Sequence, residues 1–174
     1  VSQSASSMEI VVPATAQDGP VKLVPASNLQ ISVDVEVEML LPTVSSISPN
    51  PVKNGETITI TGSDLDLITN VSFGGAVEGS IQAGGNDTEI VVDVPLTATE
   101  DLVTFTTTAS KTFTSDALLS LVKPEVSSIS PLPAQFGEEI TITGTNLDLV
   151  AAVLFAGDVS QDVNMATTNM LTVT

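Results

Sequence analysis

An internal repeat constrains the fold of this 174-residue chain more than any other feature. The sequence Pro-Thr-Val-Ser-Ser-Ile-Ser-Pro at 42–49 recurs as Pro-Glu-Val-Ser-Ser-Ile-Ser-Pro at 124–131, which is 82 positions later. The same spacing relates Ile-Thr-Ile-Thr-Gly at 58–62 to its copy at 140–144. Because self-similarity at a fixed period is the signature of a repeated structural unit, we expect several copies of one small module.

The phase of the repeat predicts three segments. Residues 42–123 form a complete module, residues 1–41 match only its C-terminal half, and residues 124–174 match only its N-terminal part. Half of a sandwich leaves an apolar face and free strand edges. We therefore expect the chain to be a piece of a longer protein, or the ordered part of one. An alternative is that the two part-modules pair with each other.

Apolar and polar residues alternate along the complete module, as in Thr57-Ile-Thr-Ile-Thr61. A period of two is typical of a strand with one buried face. Gly62 is expected to end this strand in a turn. Six or seven such segments, separated by Gly and Pro turns, predict an all-β fold built from β-sandwich modules.

Four of the five Phe residues are expected in the cores of the modules. Phe73 and Phe155 occupy equivalent strand positions, Phe105 stands where the first segment has Leu23, and Phe113 lies in the last strand.

The modules are joined without a Gly/Ser linker. Leu41 leads directly into Pro42, and Lys123 leads directly into Pro124. Proline fixes its own φ and restricts the residue before it, so the joints should be stiff. Strands of about eight residues would then add roughly 25–30 Å per module. We expect a rod-like array.

The composition excludes most catalytic and nucleic-acid functions. The chain has no His or Cys, four basic residues and a net charge of −17. It therefore lacks Ser-His-Asp and Cys-His nucleophiles and the usual zinc ligands. An acidic surface with four cations cannot neutralise a nucleic-acid backbone. No carboxylate pair can be assigned the separation that glycoside hydrolysis needs. We expect a chain that is not an enzyme and requires no cofactor.

Two equivalent turns of the repeat carry residues that could supply oxygen ligands to Ca²⁺. Asp64 and Asp66 follow a Gly turn, and Asn146 and Asp148 occupy the equivalent positions in the repeat. Carboxylate oxygens are ligands that Ca²⁺ prefers, but it takes six to eight of them. Asx residues also favour such turns because they bond their own backbone. Asp64, Asp66 and Asp148 are thus weak calcium candidates beside a structural role.

Phe136 differs from the other Phe residues because its repeat equivalent is Asn54, in a loop after the Pro-rich junction. One interpretation is that it packs against the preceding module. The other is that it contacts a partner or ligand.

The repeated motifs together resemble the IPT/TIG immunoglobulin-like domain. They are Pro-x-Val-x-x-Ile-x-Pro, then Gly-Glu-x-Ile-Thr-Ile-Thr-Gly-x-x-Leu, then Val-x-Phe-x-Gly, and Val-x-Val-Pro. The resemblance covers essentially the whole chain and implies tandem immunoglobulin-like modules.

Tandem, acidic, Cys-free modules with Pro joints are most similar to those of the surface glycan-binding lipoproteins of Bacteroidota. This resemblance implies a spacer at the outer face of the outer membrane. It also implies a lipid anchor outside this segment and polysaccharide binding by another domain. The implied partner is an outer-membrane importer of the starch-utilisation type. Two alternatives are the stalk of a bacterial surface adhesin and an accessory domain of an extracellular polysaccharide-degrading enzyme.

Overall fold

The chain divides into two compact units in the computed structural model, which describes residues 2–3, 6–13, 15–27 and 31–174. The first unit comprises Val1–Asn50 and Gly55–Leu119, and the second comprises Pro51–Asn54 and Ser120–Thr174. The two units follow from contacts within the structure, whereas the three predicted segments follow from the sequence repeat. The two divisions differ in kind, so the boundaries of the three segments stay predictions.

The N-terminal part of the first unit contains two antiparallel strand pairs. The first pair is β1 with β2, and the second is β3 with β4. Their bounds are β1 Ser2–Gln3, β2 Met8–Glu9, β3 Gly19–Leu23 and β4 Ile31–Val37.

The complete module contains seven strands, in agreement with the predicted number. They are β5 Thr43–Ser48, β6 Thr57–Ser63, β7 Ile68–Gly74, β8 Val77–Ile81, β9 Glu89–Asp93, β10 Thr99–Thr107 and β11 Thr112–Leu119. Their hydrogen-bonded order is β11-β10-β7-β8-β9-β6-β5, so β5 and β11 are the two edges. The all-β sandwich predicted from the alternation is confirmed, and so is the immunoglobulin-like fold that the motif resemblance implies.

The alternation in β6 produces the core directly. Ile58 and Ile60 are completely buried, while the hydroxyl of Thr61 forms a 2.8 Å hydrogen bond with that of Ser46 on the neighbouring strand. The ring of Phe105 is also fully buried and stacks on Phe113 with centroids 5.0 Å apart. Phe113 itself is half-buried, at the edge of this core.

Gly62 lies within β6, and the prediction that it ends the strand in a turn is wrong. It is opposite Val44, next to an irregularity in the pairing of β5 with β6. A Cβ atom at this position would lie 1.8 Å from the carbonyl oxygen of Thr43. Glycine is needed there for close backbone approach, which is a common reason for glycine inside a strand.

The second unit repeats part of this architecture. Its strands are β12 Glu125–Ser130, β13 Ile140–Thr145, β14 Ala152–Phe155, β15 Val159–Asp162, β16 Met165–Ala166 and β17 Met170–Val173. The order β12-β13-β17-β16 forms one sheet, and β14 pairs with β15 in another. Its core consists of Ile140, Ile142, Leu147, Leu171 and Val173.

Two short 3-10 helices, Leu65–Leu67 and Leu147–Leu149, occupy equivalent positions in the two units. Each supplies one fully buried leucine, Leu65 or Leu147, to its core. Across the described ranges, no helix combines the length and the apolar character that a membrane span requires.

Phe155 is not a core residue, contrary to the sequence prediction. Its side chain is 42% exposed, whereas its repeat equivalent Phe73 is 3% exposed. In the complete module β7, which carries Phe73, pairs with β10 on one side and β8 on the other. The described part of the second unit contains no counterpart of β10 beside Phe155, so the ring stays accessible to solvent.

Candidate functional site

The calcium candidates lie in the two 3-10 helices, which contain Asp66 and Asp148, and in the turn before the first, which contains Asp64. The geometry of these turns has a structural cause. Asp64 and Asn146 both adopt left-handed backbone conformations, with φ of 55° and 53°. Asp and Asn tolerate this conformation better than most residues. The turn directs the following leucine inward, and the amide of Leu65 donates to the carbonyl of Asp87 at 2.8 Å.

The calcium candidates do not converge into one cluster. Among the residues that the structure describes, no group of three or more acidic side chains is arranged to hold a metal ion. Asp64 and Asp66 lie in the first unit, and Asp148 lies in the second. Asp64, Asp66 and Asp148 stay weak calcium candidates, because each turn would need several further oxygen ligands.

The carboxylate of Asp148 is paired with a lysine. It accepts a 2.5 Å hydrogen bond from the ammonium of Lys53. This hydrogen bond is the main cause that holds the pKa of Asp148 below its ordinary value. Both side chains are partly exposed, so the pair is screened by solvent and contributes little to stability.

The short segment that carries Lys53, Pro51–Asn54, is tied to the residues that follow the last strand of the complete module. The amide of Val52 donates to the carbonyl of Ser120 at 3.1 Å, and the amide of Val122 donates to the carbonyl of Val52 at 2.9 Å. The side chain of Val52 is buried. We call residues 51–54 together with 120–123 the junction segment. Its backbone is paired, and the sequence between Leu119 and Pro124 is not a free linker.

A second ion pair connects two parts of the first unit. The carboxylate of Asp18 accepts hydrogen bonds from the ammonium of Lys111 and, at 2.7 Å, from the amide of Met39. The hydrogen bond from Lys111 is the largest cause that lowers the pKa of Asp18. Lys53 and Lys111 are therefore both engaged in ion pairs.

A shallow groove lies between the two edge strands of the complete module. Two of its polar side chains, Asn50 and Ser115, are hydrogen-bonded within the module. The amide of Asn50 donates to the carbonyl of Leu118 at 2.9 Å, and the hydroxyl of Ser115 donates to the carbonyl of Ala117 and accepts from the amide of Val103. The groove offers hydrogen bonds and apolar contact, and no nucleophile or acid–base pair.

Phe136 is fully exposed, so it is not part of the core of its unit. It lies in the loop between β12 and β13, where the amide of Gln135 donates to the carboxylate of Glu138 at 2.8 Å. Leu132, in the same loop, is also largely exposed. A partner contact at Phe136 stays a prediction, and the loop presents two apolar side chains to solvent.

Sequence reasoning missed the junction segment. Lys53 and Asp148 are far apart in the chain, and their pairing is visible only in three dimensions. One available signal was Val52, an apolar residue in a loop otherwise rich in Pro, Asn and Lys.

The fold places the chain among the immunoglobulin-like β-sandwich proteins with a tandem repeat. The model of the IPT/TIG domain matches residues 42–120 and 124–174, which is well over half of the chain. The chain therefore belongs to the IPT/TIG family, and the resemblance of its motifs is confirmed. No curated protein matches the chain.

Several solved structures are similar to the chain. The surface glycan-binding protein PbSGBP-B from Prevotella bryantii is 22% identical with a TM-score of 0.41, over 78% of this chain and 36% of that one. The SGBP-B of the mixed-linkage glucan utilization locus of Bacteroides ovatus, in complex with a mixed-linkage heptasaccharide, is 15% identical. Its TM-score is 0.40, over 89% of this chain and 42% of that one. The plexin A4 extracellular region is 17% identical with a TM-score of 0.44, over 91% of this chain and 15% of that one. At these identities the similarity concerns the fold alone, and the chain spans less than half of each protein.

Proposed function

We propose that the chain is a non-catalytic spacer within a cell-surface glycan-binding protein. In this proposal the intact protein captures polysaccharide for an outer-membrane importer of the starch-utilisation type. The glycan site lies in a domain outside residues 1–174, and a lipid anchor, also outside them, holds the protein at the outer face of the outer membrane.

The paired backbone of the junction segment carries this proposal. Two hydrogen bonds pair Val52 with residues 120–122, so the chain is ordered within its own module up to the joint, and Pro124 then fixes the first φ of the next module. A spacer holds a distal site at a defined distance and so raises the effective concentration of captured ligand near its destination. A freely jointed Gly/Ser linker would do this less well, because its ends sample many distances.

The chemistry of the described surface supports a passive role. The chain has no His, Cys or Arg, and Asn50 and Ser115 in the groove between the edge strands are hydrogen-bonded within the module. The five aromatic residues are all Phe. A net charge of −17 favours solubility at a crowded surface. Phe136 is our candidate for a contact with a partner protein.

Distance measurements across the junction segment test the spacer proposal. The chain has no Cys, so Ser80→Cys and Ser160→Cys can carry spin labels without competing sites. Both positions are exposed strand residues, one in each unit. We expect a narrow distance distribution by pulsed electron paramagnetic resonance.

The control has a Gly-Ser-Gly-Ser insertion after Lys123, which should broaden the distribution because such linkers behave as random coils. If the parent distribution is as broad as that of the insertion variant, the joint is flexible and the spacer proposal fails.

A further inference from the structure

The groove between β5 and β11, which we call the edge groove, runs along both edge strands of the complete module. Its narrow part has a volume of about 90 Å³ and its wide part a volume of about 220 Å³. Val44 and Asp116 line both parts, so the two parts are continuous. At the narrow end the amide of Asn50 donates to the carbonyl of Leu118, and the wide end lies beside Phe113. Both strands therefore run in the same direction, from the wide end to the narrow end.

Both walls of the edge groove are strand edges. Among the described residues β5 pairs only with β6 and β11 only with β10, and no backbone hydrogen bond joins β5 to β11. An edge strand presents a row of unpaired amide and carbonyl groups, which is a template for pairing with another extended chain. At about 3.3 Å per residue, β5 offers about 20 Å of such an edge. These edges belong to the module whose seven strands are all in place.

The floor of the edge groove is apolar. Val44 and Ile47 of β5 and Ala117 and Leu119 of β11 line it. Val44 and Ile47 are half-buried, and Leu119 is buried. Successive side chains of an extended chain point to opposite faces. A strand bound in the groove would therefore place every second side chain on this floor.

A bulge in β11 places a carboxylate beside the edge groove. The pairing of β10 with β11 is irregular between Leu102 and Thr104, where one residue of β10 faces three residues of β11. The middle one of these three is Asp116. The hydroxyl of Ser115 accepts a 3.0 Å hydrogen bond from the amide of Val103, which replaces a bond of the ladder. Bulges on edge strands commonly re-aim a side chain in this way.

The carboxylate of Asp116 has no partner within the described ranges, where no hydrogen bond or ion pair reaches it. By contrast, the carboxylates of Asp93 and Glu78, elsewhere on the module, each accept a hydrogen bond from a neighbouring amide side chain. No lysine is among the residues that line the edge groove. A purely apolar strand would remove this carboxylate from water without compensation, whereas a cation would neutralise it.

The repeat carries the same bulge a second time. The pairing of β3 with β4 is irregular between Pro20 and Lys22, which lie 82 positions before the irregularity in β10. Asp34 occupies the sequence position equivalent to Asp116. The bulge and its aspartate are therefore features of the module and not of one loop.

We propose that the edge groove binds an extended segment of a partner protein in which apolar residues alternate with lysine or arginine. Main-chain hydrogen bonds to the free strand edges supply affinity, and the apolar floor and Asp116 supply specificity. A charged, bulged edge disfavours the long flat pairing of a second sheet, so a short basic segment is selected. The net charge of −17 attracts such a segment from a distance.

The walls of the edge groove favour a peptide over a sugar. Strand edges pair with an extended backbone, whereas sugar rings commonly stack on a free aromatic face. At the wide end one face of Phe113 is already occupied, because its ring stacks on Phe105 with centroids 5.0 Å apart. The proposal does not depend on the spacer role.

A nitrogen-15 NMR titration of the unmodified chain is the first test. The probe is a synthetic peptide of about eight residues in which valine alternates with lysine, long enough to span the edge of β5. The control is a peptide of the same length in which valine alternates with glutamate. We expect the lysine peptide to shift amide resonances of residues 43–50 and 112–119, and the glutamate peptide to shift none. Absence of binding at millimolar peptide, or shifts centred elsewhere, would overturn the proposal.

Asp116→Asn tests the role of the carboxylate at an exposed position, where folding does not depend on it. The dissociation constant of the lysine peptide should rise about two- to fivefold, as expected for the loss of a partly exposed ion pair. The matched control is Glu89→Gln, which removes one charge from an exposed position of β9 that does not line the groove. Equal weakening by both substitutions would mean that only overall charge attracts the peptide, and the proposal would fail.

The same titration distinguishes a glycan from a peptide. A polysaccharide that shifts the resonances of residues 43–50 and 112–119, where the lysine peptide does not, would assign the groove to glycan and overturn the proposal. A negative peptide titration leaves the spacer proposal standing, because distance distributions test that proposal separately.

Discussion

Truncation of Phe105 to Ala is the most informative perturbation of the complete module. The ring is completely buried between strands and stacks on Phe113 at 5.0 Å. Its removal loses the transfer free energy of the ring and leaves a cavity, which together destabilise a core by about 3–5 kcal/mol. The stacking contact adds about 0.5–1.5 kcal/mol to what is lost.

The internal repeat supplies a matched control for this change. Leu23 is the equivalent residue of the β3–β4 hairpin, and its side chain is 41% exposed. Leu→Ala at a fully buried site costs about 2–5 kcal/mol, so at Leu23 we expect well under about 2 kcal/mol. The two substitutions test whether burial, rather than position in the repeat, determines the cost.

The assay must suit a chain without Trp or Tyr, because intrinsic fluorescence is weak. Differential scanning calorimetry measures the melting temperature directly. For a domain of 60–100 residues, 1 kcal/mol shifts Tm by about 4–8 °C, so Phe105→Ala should lower the Tm of the first unit by about 12 °C or more. A decrease no larger than that of Leu23→Ala would refute the reasoning.

Three further changes have definite expected outcomes. Gly62→Ala should destabilise the first unit by about 1–3 kcal/mol, because the new Cβ meets a backbone carbonyl. The control Ser63→Ala, at the neighbouring exposed position, should change stability by less than about 1 kcal/mol. Urea unfolding followed by circular dichroism measures both changes. Lys53→Met should raise the pKa of Asp148 in a carbon-13 NMR titration. Because Lys53 lowers the pKa of Asp148 in the folded chain, the pair stabilises the folded state at pH values above the unfolded pKa, and this contribution disappears as the pH falls below about 4. An unchanged pKa in the variant would contradict the ion pair. Calcium should leave the melting temperature unchanged, since the turn at Asp64 has too few oxygen ligands; an increase that Asp64→Asn abolishes would establish a site.

The fold was predictable from the sequence because local and global signals agree. The alternation around Ile58 and Ile60 requires a strand with one buried face, and both residues are completely buried. The repeat carried this result to the second unit, where Ile140 and Ile142 are buried in the same way. Consistency between local pattern and tertiary packing is what makes a sequence foldable.

The misassigned residues depend on the surroundings rather than on the local pattern. Phe155 shares the Val-x-Phe-x-Gly pattern of the core residue Phe73, but among the described residues no strand covers it as β10 covers Phe73. Gly62 marks a close backbone contact, which a one-dimensional pattern cannot distinguish from a turn. The partners of Lys53 and Val52 lie far along the chain, so no local spacing could identify the junction segment.

Binding of polysaccharide to residues 1–174 alone tests the spacer proposal most directly. The measurement is affinity gel electrophoresis with a panel of plant and microbial polysaccharides, followed by calorimetry on any that retards the chain. The spacer proposal predicts unchanged mobility and no saturable heat for every polysaccharide. Saturable binding, weakened by substitution of an exposed residue such as Phe136, would contradict it and assign the glycan site to this chain.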